Sequence, residues 1–491
     1  MSGKMNNSMN NSTSDSVSDS MKNLNGATEN ATENGMENGA DGGMERAIDT
    51  LLTLARQRGC EFEILAHERK STAVAFHERR MEQFSFSETR QLGVRLVDGS
   101  HEGVAFTESL DTESLERTLD EAGENSRMIT REWTSELAPP GEDPTRLEGL
   151  YNPALENVPV EDKIRAAEAL ESTALDFDPR ITSVAYSRYG DSRTRVWIAN
   201  SKGLRGSYSA NSCLAYTRCL AQDPRGNVMA GDVAAARDFN QIRPEDVARS
   251  AAQKTLARLG AVRPDTGSYT VVFDPRVAEN LLGLIAGYFS AKAVDEKTSP
   301  LAGKLGELIF SPAITLIDDP FYVPAWGSRP FDEEGFTTKK TTLIENGKIS
   351  SFLTNSVLAR KLKLPHTASA SRSPATELDV SASNLILKTG ADKPAVTPSA
   401  MLDADRSVIL ITDILGTAGF RAASGDFSIP VEGFLHENGR PALPLKDFLM
   451  SGNILHLFSA IEAVGDDAPL PVGNTVCPSL LVRDLNISGK S

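Results

Sequence analysis

Cysteine is scarce, with four residues in 491, at Cys60, Cys213, Cys219 and Cys477, and no CxxC among them. That spacing argues against a disulfide framework and predicts reduced, mostly buried thiols. Positive charge is short as well: 51 Lys and Arg stand against 67 Asp and Glu, a formal net charge of −16. A protein that neutralises nucleic-acid phosphates needs the opposite balance, and no basic stripe interleaved with aromatics occurs. Long apolar runs are missing too. The stretch Leu281–Ala291 falls far below the ~20 residues of a membrane-spanning helix. No opening segment joins a basic stretch, an apolar core and a cleavage site. The expectation is a soluble, cytoplasmic chain with neither nucleic acid nor membrane as partner.

The familiar catalytic signatures are absent. Of the six histidines, His67, His77, His101 and His436 are each followed by glutamate. Four positions on from each stand Ser71, Met81, Ala105 and Arg440, so the zinc motif HExxH is never completed. His436, His456 and Cys477 have no ligand-type spacing. No nucleophile elbow, dinucleotide fingerprint or phosphate-binding loop occurs. Asp318-Asp319 and Asp332-Glu333-Glu334 are of the type that holds a hard cation, but read as solvated turns and strand ends. Trp326, Arg329 and Phe331 lie in a turn-like segment between strands. They are candidate substrate contacts, with loop anchoring the plainer reading.

What is present is architecture. Residues 1–43, rich in Asn, Ser, Gly and Met, lack apolar runs that could bury a core and read as a disordered tail. Residues 44–135 form an N-terminal α+β unit. It opens on a helix whose apolar face is Ala47, Ile48, Leu51, Leu52, Leu54 and Ala55, stopped by Gly59. Alternating segments follow, with a hairpin turn at Asp98-Gly99. A Pro-rich break precedes a second α+β unit, 150–263, bounded by helices over "PVEDKIRAAEALESTALDFDP" and "RPEDVARSAAQKTLARLGA". Residues 264–491 are strand-rich, with hairpin signals at Asn346-Gly347 and Asn438-Gly439 and a buried strand at "RSVILITDIL". The fold class is α+β and multi-domain: N-terminal α+β modules, then a large antiparallel C-terminal domain.

The stretch "YTVVFDPRVAENLLGLIAGYFSAK", Tyr269 to Lys292, resembles the floor of an active site, yet bears no group suited to chemistry. Asp274 can cap a helix whose first residue is Pro275. Val277, Leu281, Leu284, Ile285, Tyr288 and Phe289 share one apolar face. Gly283, Ala286, Gly287 and Ser290 leave another side almost bare, a surface against which a second backbone is expected to pack closely.

Several passages in collinear order, among them "LIDDPFYVPAWGSRPFDEEGFTTKKTTLIENGKISSFL", "SGDFSIPVEGFLHENGRPALPL" and "MSGNILHLFSAIEAVGDD", resemble the TldD/PmbA family from about Met44 to the C-terminus. The resemblance implies a zinc peptidase branch, TldD, with HExxxH on the helix after this strand and a later cysteine ligand. With Gly283 placed on the glycine before the second histidine, Glu279, Asn280 and Leu284 fall at the His, Glu and His positions. Val464 or a neighbour falls at the cysteine. These are not zinc ligands as a set, so the resemblance places the chain in the PmbA/TldE branch, with no metal or cofactor of its own. Residues five apart on a regular helix diverge by about 140°, so Gly283 is where a helical distortion is expected. The implied partners are a TldD-like sister subunit carrying zinc and an unfolded or extended peptide cut inside a shared chamber. Alternatives are a peptidase active on its own and a non-proteolytic peptide-binding scaffold. One departure from the family is "SASRSPATELDVSASNLIL", where a Gly-rich loop is expected.

Overall fold

The computed structural model describes residues 40–59, 61–128, 132–133, 135–140 and 147–490. The tail reading over residues 1–39 lies outside them, as does Cys60. Helix α1 (Ala40–Arg58) begins four residues before the expected Met44. Strands β1 (Glu61–His77), β2 (Arg80–Asp98) and β3 (His101–Thr107) follow, then α2 (Thr112–Met128). Next come α3 (Pro153–Glu156), α4 (Val160–Phe177), β4 (Ile181–Asn200), β5 (Arg205–Asp223), β6 (Gly226–Ala236) and α5 (Pro244–Ala257).

These six strands form one antiparallel sheet in the order β3-β2-β1-β4-β5-β6. The two N-terminal α+β units are therefore continuous through hydrogen bonds, with β1 paired to β4 from Glu63↔Asn200 to Ala75↔Arg188. The expected turn at Asp98-Gly99 is present, with Asp98 opposite His101. Alternating apolar residues let the sheet bury one set of side chains under its helices. Met44, Leu51, Leu115 and Leu119 pack on Phe62, Ile64 and Val94, while Ile164, Leu170 and Val247 pack with Val74 and Tyr189.

The C-terminal unit begins with β7 (Gly267–Phe273), α6 (Pro275–Ile285) and α7 (Ala291–Asp295). Then come β8 (Ile314–Asp318), β9 (Thr341–Glu345), β10 (Lys348–Ile349), α8 (Ser356–Leu362), β11 (Ala370–Ser371), β12 (Asp379–Val380) and β13 (Leu385–Thr389). The remaining strands are β14 (Ser407–Ile414), β15 (Asp426–Glu437), β16 (Arg440–Asn453), β17 (Ile461–Val464), β18 (Thr475–Val476) and β19 (Leu480–Ser488). One sheet runs β10-β9-β8-β13-β18 and another β16-β15-β14-β7-β19-β17. Both Asn-Gly pairs make the expected hairpins. Asn346 and Gly347 have φ of 48° and 81°, Asn438 and Gly439 of 49° and 73°, as a two-residue turn with left-handed central residues requires.

A single apolar core joins the two sheets: Val271 and Phe273 of β7, Leu281, Leu282 and Ile285 of α6, Leu316, Leu387, Ile409 and Val482. Helix α6 is held in its centre. No helix among the described residues is long and apolar enough to cross a membrane.

Candidate functional site

Asp274 caps α6 as its sequence implies, Oδ1 accepting from the Val277 N–H at 2.9 Å, with Pro275 in the first helical position. Burial pushes its carboxyl up to about 6. The α-helix stays regular through Gly283 and ends at Ile285, and a tighter 3-10 turn runs from Ala286 to Phe289. The distortion expected at Gly283 thus falls at the next turn. The apolar face forms as read, with Val277, Leu281, Ile285, Tyr288 and Phe289 buried, while Leu284 is half-buried.

The bare side of the helix departs from expectation. Gly283 and Gly287 are exposed, and a Cβ built on either meets nothing within 4 Å. No backbone packs there. Instead the two glycines, with Ala286, line a pocket of about 270 Å³ closed by Leu353, Ala382 and Thr475. Lacking side chains, this wall leaves room for those of another molecule.

The three positions implied by the family resemblance sit as follows. Glu279 is partly buried, its Oε2 accepting from Arg276 Nη1 at 2.9 Å while Oε1 has no partner. Burial raises its pKa, against the opposing pull of Arg276. Asn280 is exposed and Leu284 offers no donor atom. Val464 lies on β17 opposite Leu480, and its side chain offers no donor atom. The thiol that reaches α6 is Cys477, fully buried and pushed well above the usual thiol range, first by burial and then by the carboxylates of Glu279 and Asp467. A protonated thiol, a carboxylate tied to arginine, an exposed amide and a leucine do not fit Zn²⁺, which takes thiolate and neutral imidazole.

Among the described residues, neither Glu279 nor Cys477 belongs to a cluster of three or more possible ligands. Nor do His436, which is buried, and His456, which is exposed on the helix Ile454–Ser459, meet at Cys477. Cys213, Cys219 and Cys477 are free and buried.

The turn-like segment divides. Phe331 is core, its ring edge-on to Tyr208 at 5.1 Å beside Leu65, Val196 and Ile198. Arg329 is buried and paired with Glu333 at 2.6 Å. Both anchor the loop. Trp326 is 36% exposed and edges a crevice of about 330 Å³ with Arg69, Tyr208 and Arg237. The loop that replaces the expected Gly-rich segment forms the small β11–β12 hairpin and buries Arg372.

The acidic groups are not solvated as expected. Asp318, Asp332 and Glu334 are all buried. Missed in the sequence is a buried ionic chain across the two halves of the molecule: Glu63 of β1 accepts from Arg95 of β2 and from Arg372 of the C-terminal unit, and Arg95 also reaches Glu102. The available signal was a charge inside an apolar strand, Arg95 within "GVRLV".

Three α+β parts, the last with two mixed sheets in which β14 runs parallel to β7 and β18 to β13, and with a capped helix buried between those sheets beside a glycine-lined pocket, match the domains of one class of protein in order. The models of the PmbA/TldA metallopeptidase family match as domain 1 over residues 62–126, the central domain over 153–259 and the C-terminal domain over 266–489. The chain belongs to this TldD/PmbA metallopeptidase family. It is 25% identical over 453 residues to the metalloprotease PmbA of Escherichia coli O157:H7, covering 91% of this chain and 96% of that one. It is 24% identical to a metalloprotease TldD homolog of Haemophilus influenzae, over 82% of this chain and 88% of that one. Among solved structures, a Thermotoga maritima protein described as a proposed modulator of a DNA gyrase superposes with a TM-score of 0.84 at 25% identity, over 91% of this chain and all of that one. TldE from Thermococcus kodakarensis shares the fold with a TM-score of 0.81 at 21% identity, over 90% of this chain and all of that one.

Proposed function

We propose that this chain is the PmbA/TldE-like subunit of a cytoplasmic TldD/PmbA-type metallopeptidase. It supplies a dimer surface and half of the chamber in which a TldD-like sister subunit, carrying the zinc, cuts unfolded or extended peptides. The observation that carries the reading is the intact, capped helix α6, on which Glu279, Asn280 and Leu284 stand where the family resemblance aligns the zinc motif. Without a metal-bound water of pKa near ~7 there is no hydroxide for hydrolysis at neutral pH. The pocket beside Gly283 and Gly287 is of a size to take an apolar peptide side chain, and Asn474 and Thr475, at and beside the short strand β18, line it. An extended peptide pairing with a strand edge there would use its backbone for affinity and the pocket for selection.

The test is reconstitution. The purified chain alone is expected to cleave no extended peptide. Cleavage follows addition of a TldD-like partner, is abolished by chelator, and is lost when the partner's motif glutamate is replaced. Glu279→Ala and Asn280→Ala in this chain leave most of it. Peptidase activity in the lone chain that Glu279→Ala abolishes would overturn the assignment.

A further inference from the structure

Next to the N-terminal sheet, the turn 332–336 brings two carboxylates and an imidazole together in a way its backbone does not require. Asp332 Oδ1 accepts from the N–H groups of Glu334 and Phe336 at 3.1 and 3.0 Å, and Oδ2 from Ala370 at 3.0 Å. Those bonds account for Asp332 as the organiser of the turn. They do not account for Glu334, which is also wholly buried and accepts from both the N–H and the hydroxyl of Ser356 at the start of α8. Nor do they account for His366, whose Nε2 is buried with no hydrogen-bond partner. One ligand atom from each of the three lies within 4.8 Å of the other two. A buried ring nitrogen without a partner, on a residue clustered with two buried carboxyls, is a place where an ion or a water belongs.

The charge around the turn points the same way. Glu63, Glu102, Asp332, Glu333 and Glu334 pack with Arg95, Arg329 and Arg372, all buried or nearly so. Asp332 and Glu334 thus share arginines that are already paired with Glu63 and Glu333. Leaving that charge uncompensated in a dry interior is costly, so it is met by protons or by a cation.

We propose that Asp332, Glu334 and His366 form a site for one divalent cation of the Mn²⁺ or Zn²⁺ class, seated where the N-terminal sheet meets the C-terminal unit. Two carboxylate oxygens and one imidazole nitrogen suit borderline transition cations better than Mg²⁺, which prefers oxygen throughout and keeps its water. Each ionised carboxylate offers about four acceptor directions, and the bonds above leave room on both. Metal bonds of about 2.0–2.2 Å require the three atoms to draw in by shifts on the order of an ångström. His366 is pre-oriented by Phe336 of the same turn, ring edge to ring face at 4.5 Å. The ion is structural: it locks the turn to α8 and to the segment carrying His366. This departs from the expectation of a chain without metal ligands, and it is independent of the chamber reading, because none of the three residues is on α6.

The experiment uses the isolated full-length chain, purified without chelator and with any affinity tag removed. Elemental analysis is expected to find about one equivalent of manganese or zinc. After chelation and desalting, MnCl₂ or ZnCl₂ raises the melting temperature by several degrees, whereas MgCl₂ does not. His366→Ala and Asp332→Asn lose both the metal and the shift, while Glu279→Ala keeps both. Because Asp332→Asn also alters the turn, the half-buried His366 decides if that variant misfolds: His366→Ala and His366→Gln, folded by circular dichroism, bind nothing. A metal-free wild-type chain whose melting point neither ion moves would overturn the site and leave a shared proton between the carboxylates. Metal retained at full stoichiometry in His366→Ala would overturn it too, by placing the ion elsewhere.

Discussion

Gly283 and Gly287 carry the residue-scale argument. In sequence they read as a contact surface for a packed sheet, where leucine would overpack. In the fold they face open space, so the expected effect of leucine reverses. Glycine is the poorer helix former by up to ~1 kcal/mol, and a Cβ at Gly283 meets nothing within 4 Å. Gly283→Leu and Gly287→Leu are therefore expected to leave the melting temperature of the chain unchanged or slightly higher. They fill the pocket of about 270 Å³, and so should reduce peptide cleavage by the reconstituted complex severalfold. A fall of several degrees in either variant would mean the face is packed after all. Unchanged cleavage with unchanged stability would mean that no peptide side chain enters. Sequence alone could not separate these cases, because a bare helical side has the same pattern whether a backbone or a substrate covers it.

Elements whose signals are local were legible, and those whose partners are distant were not. The cap at Asp274-Pro275, the stop at Gly59 and both Asn-Gly hairpins depend on a few adjacent residues, and all formed. The pairing of β1 with β4 and the approach of Cys477 to Glu279 join residues more than a hundred positions apart, and no local pattern encodes them. Strand β8 shows the same limit in its chemistry. Its last residue, Asp318, reads as a solvated strand end. In the fold it is buried, with one oxygen accepting from Ser383 and Asn384 at 2.8 and 2.9 Å. Burial pushes its carboxyl up to about 7, against the opposing effects of Arg329 and the two N–H groups. The folded-state value lies above the ordinary 3.8, so the native state holds a proton that the unfolded chain gives up. That contribution is fully present below about pH 4 and is lost as pH rises toward 7, with a limiting slope of about 1.4 kcal/mol per pH unit. Asp318→Asn keeps an oxygen for both N–H donors and cannot ionise. Urea unfolding at pH 5 and pH 7.5 should find the variant gaining on the wild type as pH rises. Parallel pH dependences would show that Asp318 is ionised throughout.

At the scale of the whole molecule, the question is what couples the N-terminal sheet to the C-terminal unit. Apolar contact contributes through Phe331, set among Leu65, Val196 and Ile198. The polar link is Glu63, fully buried, which accepts from Arg95 of its own sheet at 3.0 Å and from Arg372 across the junction. Burial lowers the pKa of Arg372, with Glu63 opposing, so each group justifies the other's charge in a dry site. Two charges of this kind gain little net stability as a pair, yet removal of one strands the other at a cost of about 3–5 kcal/mol. Arg372→Met is thus expected to destabilise the chain by about that amount, and Glu63→Gln by a similar amount through the loss to both arginines. Because the two share one interaction, the double variant should cost less than the sum of the singles by on the order of 1–3 kcal/mol. The measurement is a double-mutant cycle on urea unfolding, followed by fluorescence and by far-ultraviolet circular dichroism. If the junction couples the units, both probes report one transition in the wild type and separate in Arg372→Met, as the sheet and the C-terminal unit begin to unfold apart. Additive costs together with coincident transitions in every variant would place the coupling in the apolar contacts around Phe331 instead.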